Sequence, residues 1–363
     1  MTIEFIGMIN TRPVSETHPP TGVPIDPDYI ARFALEHERS GFDRILIGYF
    51  SNAADGFLVA GHAAAAARRI GLMLAHRPGF VEPTLAARKL ATLDQLTGGR
   101  AAVHIISGGD DADQQKDGDW LGHDERYART DEYVDILRRI WTSEGPIDHD
   151  GAYYRFKGAF SEVKPLQRPY LPIYFGGSSD AAIEVAGRHA DVYALWGETL
   201  AQVRETIGRV DAVARRHGRR VRYSLSLRPI LADTEERAWQ RAQDILSTIR
   251  QIRGQAALGG GAAAPQNIGS QRLLDAARQG EVVDKRLWTA VAAATGARGN
   301  TTALVGTPEQ VADALLEYHA LGVTTFLIRG FDPLEDAIDY GRTLIPLTRT
   351  LVAQRARRLV AVG

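Results

Sequence analysis

Apolar and polar positions along the chain follow two rhythms that alternate eight times. Short continuous apolar runs, the mark of strands buried on both faces, fall at 3–8, 44–49, 71–76, 100–107, 171–175, 191–195, 222–231 and 324–329. Between them apolar residues recur at helical spacing. The first helix is predicted to open at Asp26 as cap, with Pro27 in its first turn, to turn Ile30, Phe33 and Ala34 inward, and to stop at Gly41. Others are predicted near 57–68, from Pro83 to the Gly98-Gly99 pair, over 124–141, from Ser179, near 200–217, from Thr234, over 308–319 and from Leu334. Two segments break the rhythm. In 147–165, YYRF and SEVKP predict a small hairpin; 253–300 carries GGGAAAP and a helical stretch near 273–278.

Strand then helix, repeated, predicts a parallel sheet covered by helices. Eight units are the number that closes into a (β/α)8 TIM barrel, here a single domain over 1–363 with the 253–300 insertion before the last strand. A doubly wound open sheet has the same periodicity and stays open at this point. An insertion this long in a compact domain is commonly functional, and it is expected to be a mobile lid.

Composition changes the picture little. The 363 residues are 44% hydrophobic and 24% charged, with a formal net charge of −1. That is ordinary for a globular protein and gives no electrostatic footprint for nucleic acid or an anionic membrane. The basic cluster Arg355, Arg357 and Arg358 fits a solvated terminal helix. Cysteine is absent, which excludes disulfides, thiolate metal sites and a cysteine nucleophile. MTIEFIGMINTRP has no apolar run of signal-peptide length, and no stretch approaches the ~20 apolar residues of a membrane span. A cytoplasmic protein is expected.

In a barrel the chemistry sits where the strands end. Standing there are Asn10, Ser51, His76-Arg77, Ser107-Gly108-Gly109-Asp110, Gly176-Gly177-Ser178-Ser179, Trp196 and Arg329, with Arg228 inside the seventh strand. FGGSSDAA puts two glycines and two serines at a helix start, where backbone N–H groups, hydroxyls and the helix dipole suit a phosphate. The same residues also make a common serine-capped turn. Arg228, with apolar neighbours Leu225 and Leu227, must be paired if it points inward. It is either half of a structural ion pair or a guanidinium fork for a sulfonate, phosphate or carboxylate. His104, in VHIISGGD, is either a hydrogen-bonded core residue or a ligand-facing one. HExxH, a nucleophile elbow and a Walker loop are all missing, which disfavours metallo- and serine-hydrolase chemistry. The residues alone point to a barrel enzyme that binds an anion.

The runs AHRPGFVEPTLAARKLATLDQLTGGRAAVHIISGGD, HDERYARTDEY, PIYFGGSSDAA and DVYALWGE, in that order and spacing, resemble the bacterial luciferase-like monooxygenases. Among these the chain looks most like the alkanesulfonate monooxygenases, from about Ile6 to Leu347. The resemblance implies a flavin-dependent monooxygenase that binds reduced FMN without a covalent link. A separate NAD(P)H-dependent FMN reductase would deliver the flavin, O2 would be the cosubstrate, and a small organosulfonate would yield sulfite and an aldehyde. A homodimer or homotetramer is implied as well. By matching position, Tyr127, Ser178 and Ser179, with Gly177 beside them, would hold the FMN phosphate. His104 would face the flavin ring, and His76 and Arg77 would meet it from the third strand. Trp196, Arg228 and Arg298 match residues of the sulfonate pocket, Arg298 arriving as the 253–300 segment closes.

The departures from the family pattern concern the same pocket. A histidine expected two residues after the strand-seven arginine is Ile230, a tyrosine after the last strand is Phe331, and a cysteine after strand two is missing from 52–54. Arg329 adds a positive charge, so Arg329 and Phe331 join the expected substrate-binding residues. Arginines kept while polar groups are lost imply a retained oxyanion and a changed tail: a sugar sulfonate, another organosulfonate or a sulfone. A deazaflavin-dependent oxidoreductase on the same fold, or a non-catalytic flavin-binding protein, are the alternatives.

Overall fold

A computed structural model describes residues 3–256, 265, 267–299 and 301–362. The eight expected strands are β1 (Glu4–Ile9), β2 (Arg44–Ile47), β3 (Gly71–His76), β4 (Ala101–Ile105), β5 (Ile173–Phe175), β6 (Val192–Trp196), β7 (Arg222–Leu231) and β8 (Val323–Ile328). The helices are α1 (Pro27–Arg39), α2 (Gly56–Ala66), α3 (Pro83–Leu96), α4 (Asp111–Lys116), α5 (His123–Thr142), α6 (Asp180–His189), α7 (Leu200–Arg216), α8 (Glu235–Ala256), α9 (Ile268–Gln279), α10 (Ala290–Thr295), α11 (Pro308–Ala320), α12 (Pro333–Asp339) and α13 (Ile345–Val362). The ladder runs β7-β8-β1-β2-β3-β4-β5-β6, and β6 pairs again with β7. It therefore returns to its start, which is the (β/α)8 TIM-barrel topology and not an open sheet. No described helix is long and apolar enough to cross a membrane.

The chain divides into two compact units: residues 1–45, 194–207 and 222–363, and residues 46–193 and 208–221. In the first, α1 starts as its residues dictate. Asp26 accepts a hydrogen bond from the Tyr29 amide at 3.0 Å, Pro27 takes the first helical position, and Gly41 leaves the helix with φ +78°. Besides β6, the ten-residue β7 pairs with two further strands. Tyr223–Leu227 pairs with β8, and Arg228–Leu231 pairs with a strand at Ala303–Gly306. Ile230 and Phe331, two of the departures from the family pattern, share one core cluster with Trp288 and Val291.

The 253–300 insertion holds more structure than the sequence suggests. The end of α8, all of α9 and α10, and an antiparallel pair Val282–Val283 with Leu287–Trp288 belong to it. Its GGGAAAP run, apart from Pro265, and Asn300 lie outside the described residues.

In the second unit, strand burial follows parallel-sheet logic: all six residues of β3 are buried. The inner face of α5 carries Tyr127, Tyr133, Val134, Leu137 and Trp141, and the Trp141 indole donates to the Ala87 carbonyl of α3 at 2.9 Å. The expected hairpin is present as Ile147–Asp150 against Arg155–Ala159, antiparallel. Helix α4 was not expected, since its acidic run has no apolar periodicity. It is capped by Asp110, which accepts from the Asp113 amide at 3.2 Å, and it buries Gln114 alone.

Candidate active site

Two groups of polar residues stand at strand ends, one in each unit. In the unit of 46–193, the chain leaves β5 through Gly176-Gly177 and enters α6, where Ser179 accepts from the Ala182 amide at 3.2 Å. Gly177 has φ +145°, and a Cβ there would lie 2.8 Å from the Tyr127 hydroxyl and 2.7 Å from Cβ of Ala182. Glycine is what lets Tyr127 come down onto this turn. The buried Tyr127 hydrogen-bonds Ser179; burial raises its hydroxyl pKa while the Ser179 bond opposes the rise. Tyr193 donates to the Gly177 carbonyl. The structure thus brings Tyr127, Gly177 and Ser179 together, with half-buried Ser178 between the last two.

At the end of β3, Nε2 of buried His76 lies 2.6 Å from the Tyr133 hydroxyl. That hydroxyl gives its one hydrogen to the Val81 carbonyl at 3.0 Å, which assigns the His76 proton to Nε2. Burial, aided by Lys89, lowers the His76 pKa to about 4, so the ring is neutral. Arg77 is buried too. Its Nη2 donates to Asp113 at 2.9 Å, and its guanidinium sits 4.6 Å from the Tyr49 ring centroid. Asp113 also accepts from Ser51 at 2.5 Å.

Among the buried polar atoms of this unit without a hydrogen-bond partner among the described residues are Nε and Nη1 of Arg77, Nδ1 of His104, and both amide atoms of Gln114. Burial lowers His104 to about 4. Gln114 lies against Gly108, where a Cβ would stand 2.1 Å from its amide nitrogen. Buried polar atoms are nearly always satisfied in a folded protein. Donors and acceptors left over in one unit, with an anion cradle at a helix start, fit a phosphorylated ring compound rich in carbonyls and nitrogens, as FMN is.

The other unit holds Arg228, 1% exposed on β7. Its Nη1 lies 2.6 Å from Oε2 of Glu16, its Nη2 donates to the Gly330 carbonyl at 2.8 Å, and its guanidinium sits 3.6 Å from the centroid of the Phe331 ring. Arg228 is therefore half of an ion pair. Oε1 of the same carboxylate lies 3.4 Å from Nη2 of Arg329. Burial pushes the Glu16 carboxyl up, but Arg228 and Arg329 together outweigh it and hold it at about 2. Burial, then repulsion from Arg228, lowers Arg329 to about 10. A small cleft opens here, lined by Met8, Asn10, Ser15, Arg228, Arg329 and Tyr340 among others.

The remaining expected residues of this unit do not line that cleft. The Phe331 ring is fully buried under Arg228, and its carbonyl accepts from Ser15 and Thr17. The substrate-facing role expected of Phe331 is corrected by this placement: its ring is packed as core and supports the arginine. Trp196 meets the insertion instead, its ring edge 3.1 Å from where a Cβ on Gly269 would stand. Helix α9 is pinned there by Arg272, which reaches Glu198 at 2.9 Å and Glu205 at 3.2 Å. Arg298 is exposed, next to Ala297, whose carbonyl accepts from Ser270 at 2.6 Å.

Sequence reasoning missed Glu16, Asp113, Gln114 and Tyr133. Glu16 sits in a polar Pro/Thr loop and Asp113 in an acidic run, where neighbours give no sign of a buried partner. Tyr133 is a different case, since it falls three positions after Thr130 and four before Leu137 and could have been placed on the inward face of α5.

The sequence from residue 3 to residue 325 matches the family model of the luciferase-like monooxygenases. Among solved structures, the chain is similar to riboflavin lyase RcaE, determined with modified FMN and riboflavin, at 21% identity and a TM-score of 0.79, covering 96% of this chain and 92% of that one. It is similar to EDTA monooxygenase EmoA from Chelativorans sp. BNC1 (20%, TM-score 0.77, 96% and 94% covered). DmoA from Hyphomicrobium sulfonivorans compares at 22%, TM-score 0.75, with 96% and 88% covered. These likenesses establish a shared fold, and the family match, over most of the chain, establishes more: the chain belongs to the luciferase-like monooxygenase family and is an enzyme of that class.

Proposed function

We propose that the chain is the oxygenating component of a two-component, FMN-dependent monooxygenase that desulfonates a small organosulfonate in the cytoplasm, working as a homo-oligomer. Reduced FMN, supplied by a separate NAD(P)H-dependent reductase, would provide the activation of O2 when bound. Tyr127, Ser178, Ser179 and the start of α6 would hold its phosphate by hydroxyl donors and helix dipole, with Gly177 keeping the turn open. Arg77 and neutral His104 would spend their unpartnered nitrogens on its ring, and His76, locked by Tyr133, would fix the wall beside Arg77.

The observation that carries the substrate reading is the arginine pair: Arg228 and Arg329 stand together beside a cleft, joined through the Glu16 carboxylate. Arg228 would anchor the sulfonate, Trp196 under α9 would exclude water, and Arg298 would arrive with the insertion.

The test is sulfite release with an FMN reductase, NAD(P)H and O2 across alkyl, aromatic and sugar sulfonates. One class is expected to yield sulfite. Silence across the panel, with reduced FMN still bound, would overturn the sulfonate reading in favour of a sulfone. Turnover on a deazaflavin without oxygen would overturn the flavin assignment itself.

A further inference from the structure

Helix α4 is six residues long and buries a single one of them, Gln114, 1% exposed. The backbone of Gln114 is spent. Its amide donates to the Asp110 carbonyl at 3.2 Å, and its carbonyl accepts from the amides of Asp117 and Asp119 at 3.1 Å. The side chain is not: both amide atoms are buried without a hydrogen-bond partner among the described residues. Neighbouring Asp113 ties the helix down, accepting from Ser51 at 2.5 Å and from Arg77 at 2.9 Å. At the exit of β4, Gly108 has φ +88°, and a Cβ there would stand 2.1 Å from the Gln114 side-chain nitrogen. Only glycine leaves the amide its room.

A side-chain amide sets a donor beside an acceptor. Buried with neither paired, it is costly, and buried polar groups are nearly always answered. A phosphate dianion can answer only the donor, since it offers acceptors alone. Arg77, whose Nε and Nη1 are also unpartnered, brings only donors. The group that completes Gln114 must therefore carry an N–H next to a carbonyl. An isoalloxazine ring has that pair along its imide edge, where N3–H lies between two carbonyls in both the oxidised and the reduced forms.

We propose that Gln114 reads the imide edge of the flavin, its Oε1 accepting from N3–H and its Nε2 donating to an adjacent ring carbonyl. The inference rests on the reading that the 46–193 unit seats FMN, and it gives that seat a specificity residue besides Arg77 and His104. A site built to bond an N–H rejects the analogue that lacks it, because its own acceptor is then left buried and alone.

The experiment measures binding of FMN and of 3-methyl-FMN to the full-length protein, stripped of flavin, by calorimetry at neutral pH. The unaltered protein should prefer FMN by at least about tenfold. A methyl on N3 can also be refused by bulk, so the deciding variant is Gln114→Met, which keeps the length of the side chain and loses both polar atoms. It should weaken FMN by about tenfold and bring the two ligands to within about threefold of each other. Gln114→Glu keeps an acceptor and loses the donor; it should weaken FMN and still refuse 3-methyl-FMN. If the unaltered protein binds both ligands equally, or if its preference survives in Gln114→Met, the inference falls and the flavin reading stands. If Gln114→Met does not fold, unchanged FMN affinity in Gln114→Glu overturns the inference by itself. If the unaltered protein binds neither ligand, the flavin reading falls and takes the inference with it.

Discussion

The two polar groups of this molecule are finished to different degrees. Around Tyr127, Gly177 and Ser179 the backbone opens a helix whose start could hold an anion, and Arg77, His104 and Gln114 keep buried atoms without a hydrogen-bond partner among the described residues. Around Arg228 the charge is met by Glu16, Nη2 by the Gly330 carbonyl and the plane by the Phe331 ring, with Nε left without a hydrogen-bond partner among the described residues. A buried donor or acceptor left alone costs about 1–3 kcal/mol, so the first group gains stability from whatever fills it, as a cofactor seat does. The second has the charge of Arg228 answered by the Glu16 carboxylate at 2.6 Å. On the proposed reading, the first group would seat the flavin delivered by the reductase and the second the sulfonate.

The strongest way to break that contrast is to remove Arg228. Arg228→Ala should leave FMN affinity unchanged, because no member of its cluster belongs to the phosphate cradle, and should lower kcat/KM for the sulfonate by roughly 30- to 5000-fold. That range corresponds to the ~2–5 kcal/mol typical of truncating one half of a buried, hydrogen-bonded charge pair. Stopped-flow turnover alongside flavin-fluorescence titration separates the two quantities. A parallel loss of FMN binding would mean that Arg228 serves the flavin, and the division of labour would be wrong.

Acid should find the two groups at different pH. His76 and His104 are held neutral by burial, with pKa values of about 4 against an ordinary 6.5. The unfolded chain therefore takes up protons between pH 6.5 and 4 that the folded chain refuses, and stability falls as pH drops through that window. Glu16 acts in the same direction at lower pH. Its folded pKa of about 2 lies below the ordinary 4.5, so its contribution is complete above pH 4.5 and is lost only as pH falls on toward 2. The histidines of the 46–193 unit thus fail first, although His37 in the other unit adds to the same window. His104→Asn should flatten the decline of the urea-unfolding free energy between pH 6.5 and 4, by up to ~1.4 kcal/mol per pH unit. An unchanged slope would show that His104 titrates normally and is not the buried neutral group described.

How much of this was legible beforehand follows from what kind of signal each residue carries. The eight strands were readable because a parallel strand is apolar on both faces and short, and α1 because its cap, its proline and its terminal glycine each occupy a position with one physical use. The cradle at Gly177 and Ser179 was readable for the same reason, since a glycine pair followed by a serine cap is a local motif. Glu16 was not, because its meaning lies in partners 212 and 313 positions away, at Arg228 and Arg329, and its own loop says nothing about them. Helix α4 escaped because it buries one residue, and one residue makes no period. Ile230 and Phe331 were read as losses from a pocket, whereas both pack into core.

The smallest predicted effect is the one that tests the cradle most narrowly. Ser179 does two things at once: it caps α6 through the Ala182 amide, and it hydrogen-bonds Tyr127. Ser179→Ala removes both, at about 0.5–2 kcal/mol for the cap alone, and should weaken FMN binding by roughly tenfold if the hydroxyl also faces the phosphate. Riboflavin is the informative control, because it carries the same ring and no phosphate. Its affinity should stay level in the variant, since the ring is expected to depend on Arg77 and His104 and not on the start of α6. If Ser179→Ala weakens riboflavin as much as FMN, the hydroxyl acts by holding the turn and Tyr127 in shape, and the anion bound at this helix start is not the flavin's phosphate.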